Sequence, residues 1–198
     1  MGLIGLIFDV VLGTRKKIKQ HNAKNNTEAT TVTVKNLYSI DVPNYLSSTS
    51  KASEDASLAY INKTLDISFV VIDEPKEEFA EAIKEMDKLS KEAGNSDDDA
   101  NTDNYLLRKM AAISLSNMFE DMDKVELYDK TETTINGLPA LTIDAFQKAT
   151  FFKDGIYVSF GFIEGKDTLY QIVITTGGDS ISKLSDKLPQ YIRTFKEL

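Results

Sequence analysis

The runs GIYVSFGFI (Gly155–Ile163) and LYQIVITT (Leu169–Thr176), joined by a short turn at Gly165-Lys166, decide the fold. In an extended chain alternate side chains share a face, so Ile156, Val158, Phe160 and Phe162 give the first run a core side. The connection is too short for a crossover, so the second run must return antiparallel. Upstream, Val125–Ile135 and Leu138–Ala149 flank Asn136-Gly137, a dipeptide that tolerates the positive φ of a tight hairpin turn. Together these segments predict a meander of four antiparallel strands.

Working outward from the meander, Thr31–Lys35 and Leu37–Val42 alternate in the β manner up to Pro43, and a Ser-rich loop follows over 44–55. Ala56–Asn62 and Leu65–Ile72 form a further strand pair around Asn62-Lys63-Thr64. Between this pair and the meander the period changes. Pro75 suits a first helical turn, and Phe79, Ile83, Met86 and Leu89 recur at helical spacing through Ala93 until Gly94. After an acidic loop, Asp103 is placed to cap a second helix carrying Leu106, Leu107, Met110, Ile113 and Met118 on a broad, buried stripe. Beyond the meander, Gly177-Gly178 reverses the chain. Ile181, Leu184, Leu188, Tyr191, Ile192 and Phe195 then predict a closing helix that accommodates Pro189. The expected class is α+β: an α/β/α sandwich with a central twisted antiparallel sheet and helices packed on its faces.

The chain of 198 residues is long enough for one substantial core and short for two. Three regions are expected: an amphipathic basic helix at 1–19, a polar linker at 20–30, and a single α+β domain at 31–198. The absence of cysteine excludes disulfides, thiolate metal sites and cysteine nucleophiles, and fits a cytoplasmic location, peripheral to the membrane if the first helix binds one. The net charge is -8, yet residues 1–24 hold five basic side chains against Asp9, a local +4 that leaves -12 on the remainder. A body so acidic repels phosphates, so nucleic acid is excluded as a partner. Residues 73–103 concentrate the acidity, with twelve carboxylates against four lysines, a field that would steer a basic partner.

The N-terminal segment lacks a basic residue ahead of its apolar run, and no small-residue cleavage site follows, which argues against a signal peptide. On a helical wheel, Gly2, Gly5, Asp9, Gly13 and Lys16 share a narrow face, and Leu3, Ile4, Ile7, Phe8 and Val11 spread over a wide opposite arc. Twelve helical residues rise about 18 Å, too short for a hydrocarbon layer of about 30 Å. The expected contact set is therefore Leu3, Ile4, Ile7, Phe8, Val11, Arg15, Lys16 and Lys17. It would lie on an anionic membrane surface or a protein partner, or pack on its own domain.

Catalytic chemistry finds little purchase. His21 is the only histidine and falls in the linker, which disfavours a Ser-His-acid triad and excludes a histidine metal site. The alternation Asp99, Asn101, Asp103 imitates a calcium loop, but Asn104 stands where the turn needs glycine and Met110 where it needs a bidentate glutamate. The expectation is no catalytic residue, no metal and no cofactor.

Tyr38-Ser39-Ile40-Asp41-Val42-Pro43, the hairpin Ile135-Asn136-Gly137-Leu138-Pro139-Ala140, and Ile192-Arg193-Thr194-Phe195 together resemble the PsbP-like superfamily, over about Asn36 to Leu198. That superfamily includes the photosystem II extrinsic protein, Ran-binding Mog-type proteins and bacterial proteins of unknown function. The resemblance implies an α/β/α sandwich and an accessory or binding role rather than catalysis. The N-terminal arm is not part of the shared pattern, and no docking residue of the photosynthetic branch is matched. The functional expectation is thus a non-catalytic accessory or protein-interaction module. The alternative is a small-ligand binding protein whose apolar pocket lies between sheet and helices, with Phe146, Phe151, Phe152 or Tyr170 as candidate lining.

Overall fold

The computed structural model describes residues 28–50, 55–92, 103–119, 124–148 and 155–198. The strands are β1 (Ala29–Val34), β2 (Tyr38–Pro43), β3 (Ser47–Ser48), β4 (Ala56–Asn62), β5 (Ile67–Pro75), β6 (Val125–Ile135), β7 (Leu138–Gln147), β8 (Ile156–Glu164), β9 (Thr168–Gly177) and β10 (Lys196–Glu197). The helices are α1 (Lys76–Glu92), α2 (Tyr105–Met118), α3 (Ile181–Leu184) and α4 (Leu188–Ile192), with a 3-10 turn at Gly178–Ser180 before α3.

Seven strands form one antiparallel sheet in the order β3-β4-β5-β9-β8-β7-β6. The meander is present, and its last strand β9 lies between β8 and β5 of the β4–β5 hairpin, with β5 and β9 in register from Ile67↔Thr176 to Pro75↔Thr168. Burial on both faces explains why β8 and β9 read as almost continuous apolar runs. The edge strand β6 is exposed nearly throughout. It carries charged residues and a bulge between Tyr128 and Thr131, where Asp129 has φ 44°, features that discourage pairing with another chain. Asn136 and Gly137 both have positive φ, 50° and 89°, as the tight turn into β7 requires.

On one face of the sheet lie α1 and α2. Leu107, Met110, Ala111, Leu115 and Met118 of α2 pack on Leu141, Ile143, Val158, Phe160, Phe162 and Val173. The other face is covered by a three-stranded sheet, β1-β2-β10, together with α3 and α4. There Tyr38, Tyr170 and Phe195 form a cluster with ring centroids 4.7 to 5.5 Å apart. Tyr38 Oη lies 2.8 Å from Ser57 Oγ, and Tyr170 Oη donates to Glu197 at 3.1 Å, so the buried hydroxyls have partners. Burial pushes the Tyr170 hydroxyl up to about 12. Gly161 allows α4 to approach β8, because a Cβ there would collide with Ile192.

The three motifs that carry the family resemblance meet in space. Asn136 Nδ2 donates to the Phe195 carbonyl at 2.6 Å, the Asp41 N–H donates to Thr194 Oγ1 at 2.9 Å, and Tyr38 stacks on Phe195. Their role is to lock β2, the β6–β7 turn and the C-terminal segment together.

Several expectations change. The closing helix is not continuous: α3 ends at Leu184, residues 185–187 turn, and α4 restarts with Pro189 in its first turn, where a missing N–H costs nothing. Phe195 lies beyond α4, just before β10. Asp103 does not cap α2. That position is Asn104, at φ 61° and without a side-chain capping bond; Asn104 Nδ2 instead donates to Glu132 at 3.0 Å. Pro75 ends β5 instead of opening α1. The predicted stripe of α1 is only half used, for Ile83 is buried whereas Met86 and Leu89 are 54% and 65% exposed. Among the described residues no helix is long and apolar enough to cross a membrane.

Candidate functional site

The contact set Leu3, Ile4, Ile7, Phe8, Val11, Arg15, Lys16 and Lys17 lies outside the described residues, as do His21, the acidic stretch 97–102, Phe151 and Phe152. Two other pocket candidates are placed, on the side away from α1 and α2. Tyr170 is consumed by the aromatic cluster. Phe146 is paired with Tyr157 and shares its face with Ala140, which packs toward the small sheet. Neither lines a cavity between sheet and long helices.

Such a cavity does exist, built from other residues. Its floor is the α1/α2 side of β5 and β9, where Ile72, Glu74, Gln171 and Val173 lie two by two; its roof is Phe79 of α1 and Met110, Ile113, Ser114, Asn117 and Met118 of α2. It encloses about 230 Å³, with Asp55 at its edge. Ser114 Oγ donates to Gln171 Oε1 at 2.9 Å, tying roof to floor. Glu74 makes no hydrogen bond or ion pair through its carboxyl among the described residues, and burial, followed by the neighbouring charge of Asp55, pushes that carboxyl above its ordinary value. Among the described residues no lysine, arginine or histidine lines the cavity. The sequence did hold a signal for it: Gln171 is a polar residue at a core position of LYQIVITT, on the same face as Leu169 and Val173.

A second concavity of about 430 Å³ opens on the opposite face, between β6–β8 and α4. It is hydroxyl-rich, lined by Thr131, Thr133, Thr142 and Ser159 with Asp129, Asp144 and Arg193. Burial raises Asp144, against the pull of hydrogen bonds from Ser159, at 2.6 Å, and Tyr157. With two donors already on its carboxylate, Asp144 is poorly placed to abstract a proton. Among the described residues no three histidine, cysteine, aspartate or glutamate side chains converge as a metal site.

The third feature is the outer surface of α1. Ala82, Met86 and Leu89 follow one another at four- and three-residue steps and are exposed. Glu77, Glu78, Glu81, Glu85 and Glu92 are exposed on the same helix, against exposed Lys84, Lys88 and Lys91, so its outer surface is acidic on balance. The inner edge of α1 is anchored to α2 through Asp87, which accepts hydrogen bonds from Tyr105 and from Lys109 Nζ at 3.0 Å; these bonds hold its carboxyl below the ordinary value.

No family model matches the chain, and no curated protein matches it. Solved structures do. Cyanobacterial PsbP (CyanoP) from Synechocystis sp. PCC 6803 aligns over 94% of this chain and 99% of its own, with a TM-score of 0.51 and 13% identity. The Saccharomyces cerevisiae Ran-binding protein Mog1p aligns over 85% and 95%, at a TM-score of 0.46 and 14% identity. LpqN of Mycobacterium tuberculosis, involved in cell envelope biogenesis, aligns over 81% and 82%, at 0.49 and 9%. The alignment with CyanoP gives the chain a PsbP-like fold, at an identity that speaks for the fold alone.

Proposed function

We propose that this chain is a non-catalytic interaction module that binds a basic protein through the outer surface of α1 and is tethered to an anionic membrane surface by residues 1–19. The observation that carries the reading is the exposed stripe Ala82, Met86 and Leu89 among the carboxylates of α1. Exposed apolar residues rimmed by charge suit a protein partner, and methionine is enriched at such surfaces. Covering what remains exposed of Met86 and Leu89, 54% and 65%, would contribute on the order of 1–2 kcal/mol each, and the acidic field would speed the encounter with a basic surface. For the tether, Leu3, Ile4, Ile7, Phe8 and Val11 would enter the interface while Arg15, Lys16 and Lys17 meet anionic headgroups.

The test is affinity capture from the native lysate with the full chain, a chain starting at Thr31, and a Met86→Asp/Leu89→Asp double variant. The expected result is a basic protein retained by the first two, released by moderate salt, and lost with the double variant. A partner list unchanged by the double variant would sink the α1 assignment. The tether is tested separately by sedimentation with vesicles containing phosphatidylserine. Ile7→Asp/Phe8→Asp should release the protein while its thermal midpoint stays nearly constant. A large loss of stability without change in sedimentation would instead make the arm part of the domain's own core.

A further inference from the structure

We propose that the cavity between α1, α2 and strands β5 and β9 binds a small organic cation, a primary aliphatic ammonium ion with a short apolar tail, through the carboxylate of Glu74. This site is separate from the protein-binding surface on the outside of α1, and neither depends on the other.

The geometry sets the ligand class in three steps. Charge comes first: among the described residues the lining holds the Glu74 carboxyl and no basic side chain, so an anion is repelled and a cation attracted. The state of Glu74 comes second. A half-buried carboxylate with no donor among the described residues is a costly arrangement, reflected in the upward shift of its proton affinity. An ammonium group supplies up to three N–H donors and a compensating charge, and it forms a charge-assisted bond stronger than a neutral ligand could make. Asn117 and Gln171 add polar groups on the roof and the floor, and the Phe79 ring offers an aromatic surface for the cation.

Size and wall come third. About 230 Å³ is less than the roughly 300 Å³ at which pockets for drug-sized molecules begin, so the ligand is a fragment of a few carbons. Met110, Met118, Ile113 and Val173 supply an apolar wall for its tail, and the thioether side chains can adapt to its shape. A lone aromatic ring is a poor cage for a quaternary ammonium, which favours a primary amine that can donate hydrogen bonds.

The experiment titrates the full chain with n-butylammonium chloride, n-butanol and sodium butyrate at constant ionic strength, followed by amide NMR. Butylammonium should give saturable shifts at Ser114 and at the side-chain amides of Asn117 and Gln171, n-butanol should bind at least about tenfold more weakly, roughly 1.4 kcal/mol, and butyrate should produce no shift there. Glu74→Gln should remove the preference for the amine over the alcohol, and Asn117→Asp, which adds a carboxylate, should increase it. The midpoint of the Glu74 carboxyl, read by carbon NMR, should fall when butylammonium saturates the protein. Equal binding of butylammonium and butanol would overturn the proposal, as would an unchanged amine affinity in Glu74→Gln or an absence of shifts at the cavity residues. If Glu74→Gln does not fold, the amine-to-alcohol ratio in the unaltered protein decides alone.

Discussion

Helices α1 and α2 share a face of the sheet and follow each other in the chain, yet they are used differently. The 14 residues of α2 bury five side chains, Leu107, Met110, Ala111, Leu115 and Met118. The 17 residues of α1 bury one, Ile83. Both show apolar residues at helical spacing. In α2 they face β7, β8 and β9, whereas in α1 only the edge nearest α2 and the sheet is covered. Apolar periodicity therefore identifies the face of a helix that can be buried, and the neighbours decide how much of it is.

The strongest test of this contrast is Leu107→Ala, which empties a fully buried site and should cost about 2–5 kcal/mol, read as a lower urea midpoint at constant slope. Ile83→Ala, at the one buried position of α1, should also fall within the range of about 2–5 kcal/mol, and we expect it to cost less than Leu107→Ala. A larger loss there than at Leu107 would erase the distinction between the helices. Gly161→Ala probes the opposite face, where the added methyl meets Ile192 of α4; overpacking of this kind costs about 1–3 kcal/mol.

A smaller and pH-dependent effect is expected at Glu74, beneath the junction of the two helices. Because its folded proton affinity is raised, the folded state holds the proton more tightly than the unfolded chain. Its contribution is complete below the ordinary glutamate range and is lost as pH rises through the raised value. Glu74→Gln should therefore match the parent in acid and become relatively more stable toward neutral pH. A stability difference flat across that window would remove burial as the cause. Least of all, Met86→Ser with Leu89→Ser should change stability by no more than about 0.5 kcal/mol, since neither residue is in the core.

How far the sequence reached follows from the same physics. The meander, both long helices and the α+β class were legible because they rest on local periodicity and short connections. The separate sheet was not, since pairing of β2 with β10 brings Ser39 to Lys196, a contact of two short segments that no local pattern announces. The closing helix divides because Pro189 sits in the first turn of a new helix rather than inside a continuous one, a break that apolar spacing does not show. Asn104, not Asp103, stands ahead of α2, and its side chain binds Glu132, a tertiary partner that no local pattern announces. For the cavity, the apolar helical residues were read as core, and only Gln171 on a core face hinted that a gap had to be lined. No local pattern fixes the side of the sheet on which Phe146 and Tyr170 fall, and Tyr170 belongs to the opposite core.

The lock between β2 and the segment after α4 has a consequence for biosynthesis. Asp41 and Thr194 are 153 residues apart, so at translation speeds of about 5–20 residues per second β2 waits roughly 8–30 s for its partner. During that interval Tyr38, Ile40 and Val42 have emerged without Phe195, Leu188 or Ile192 to cover them. The nascent chain thus presents its first hairpin as an apolar surface until the closing residues leave the ribosome. Chaperone occupancy at β1–β2 should persist until that moment and fall abruptly afterwards.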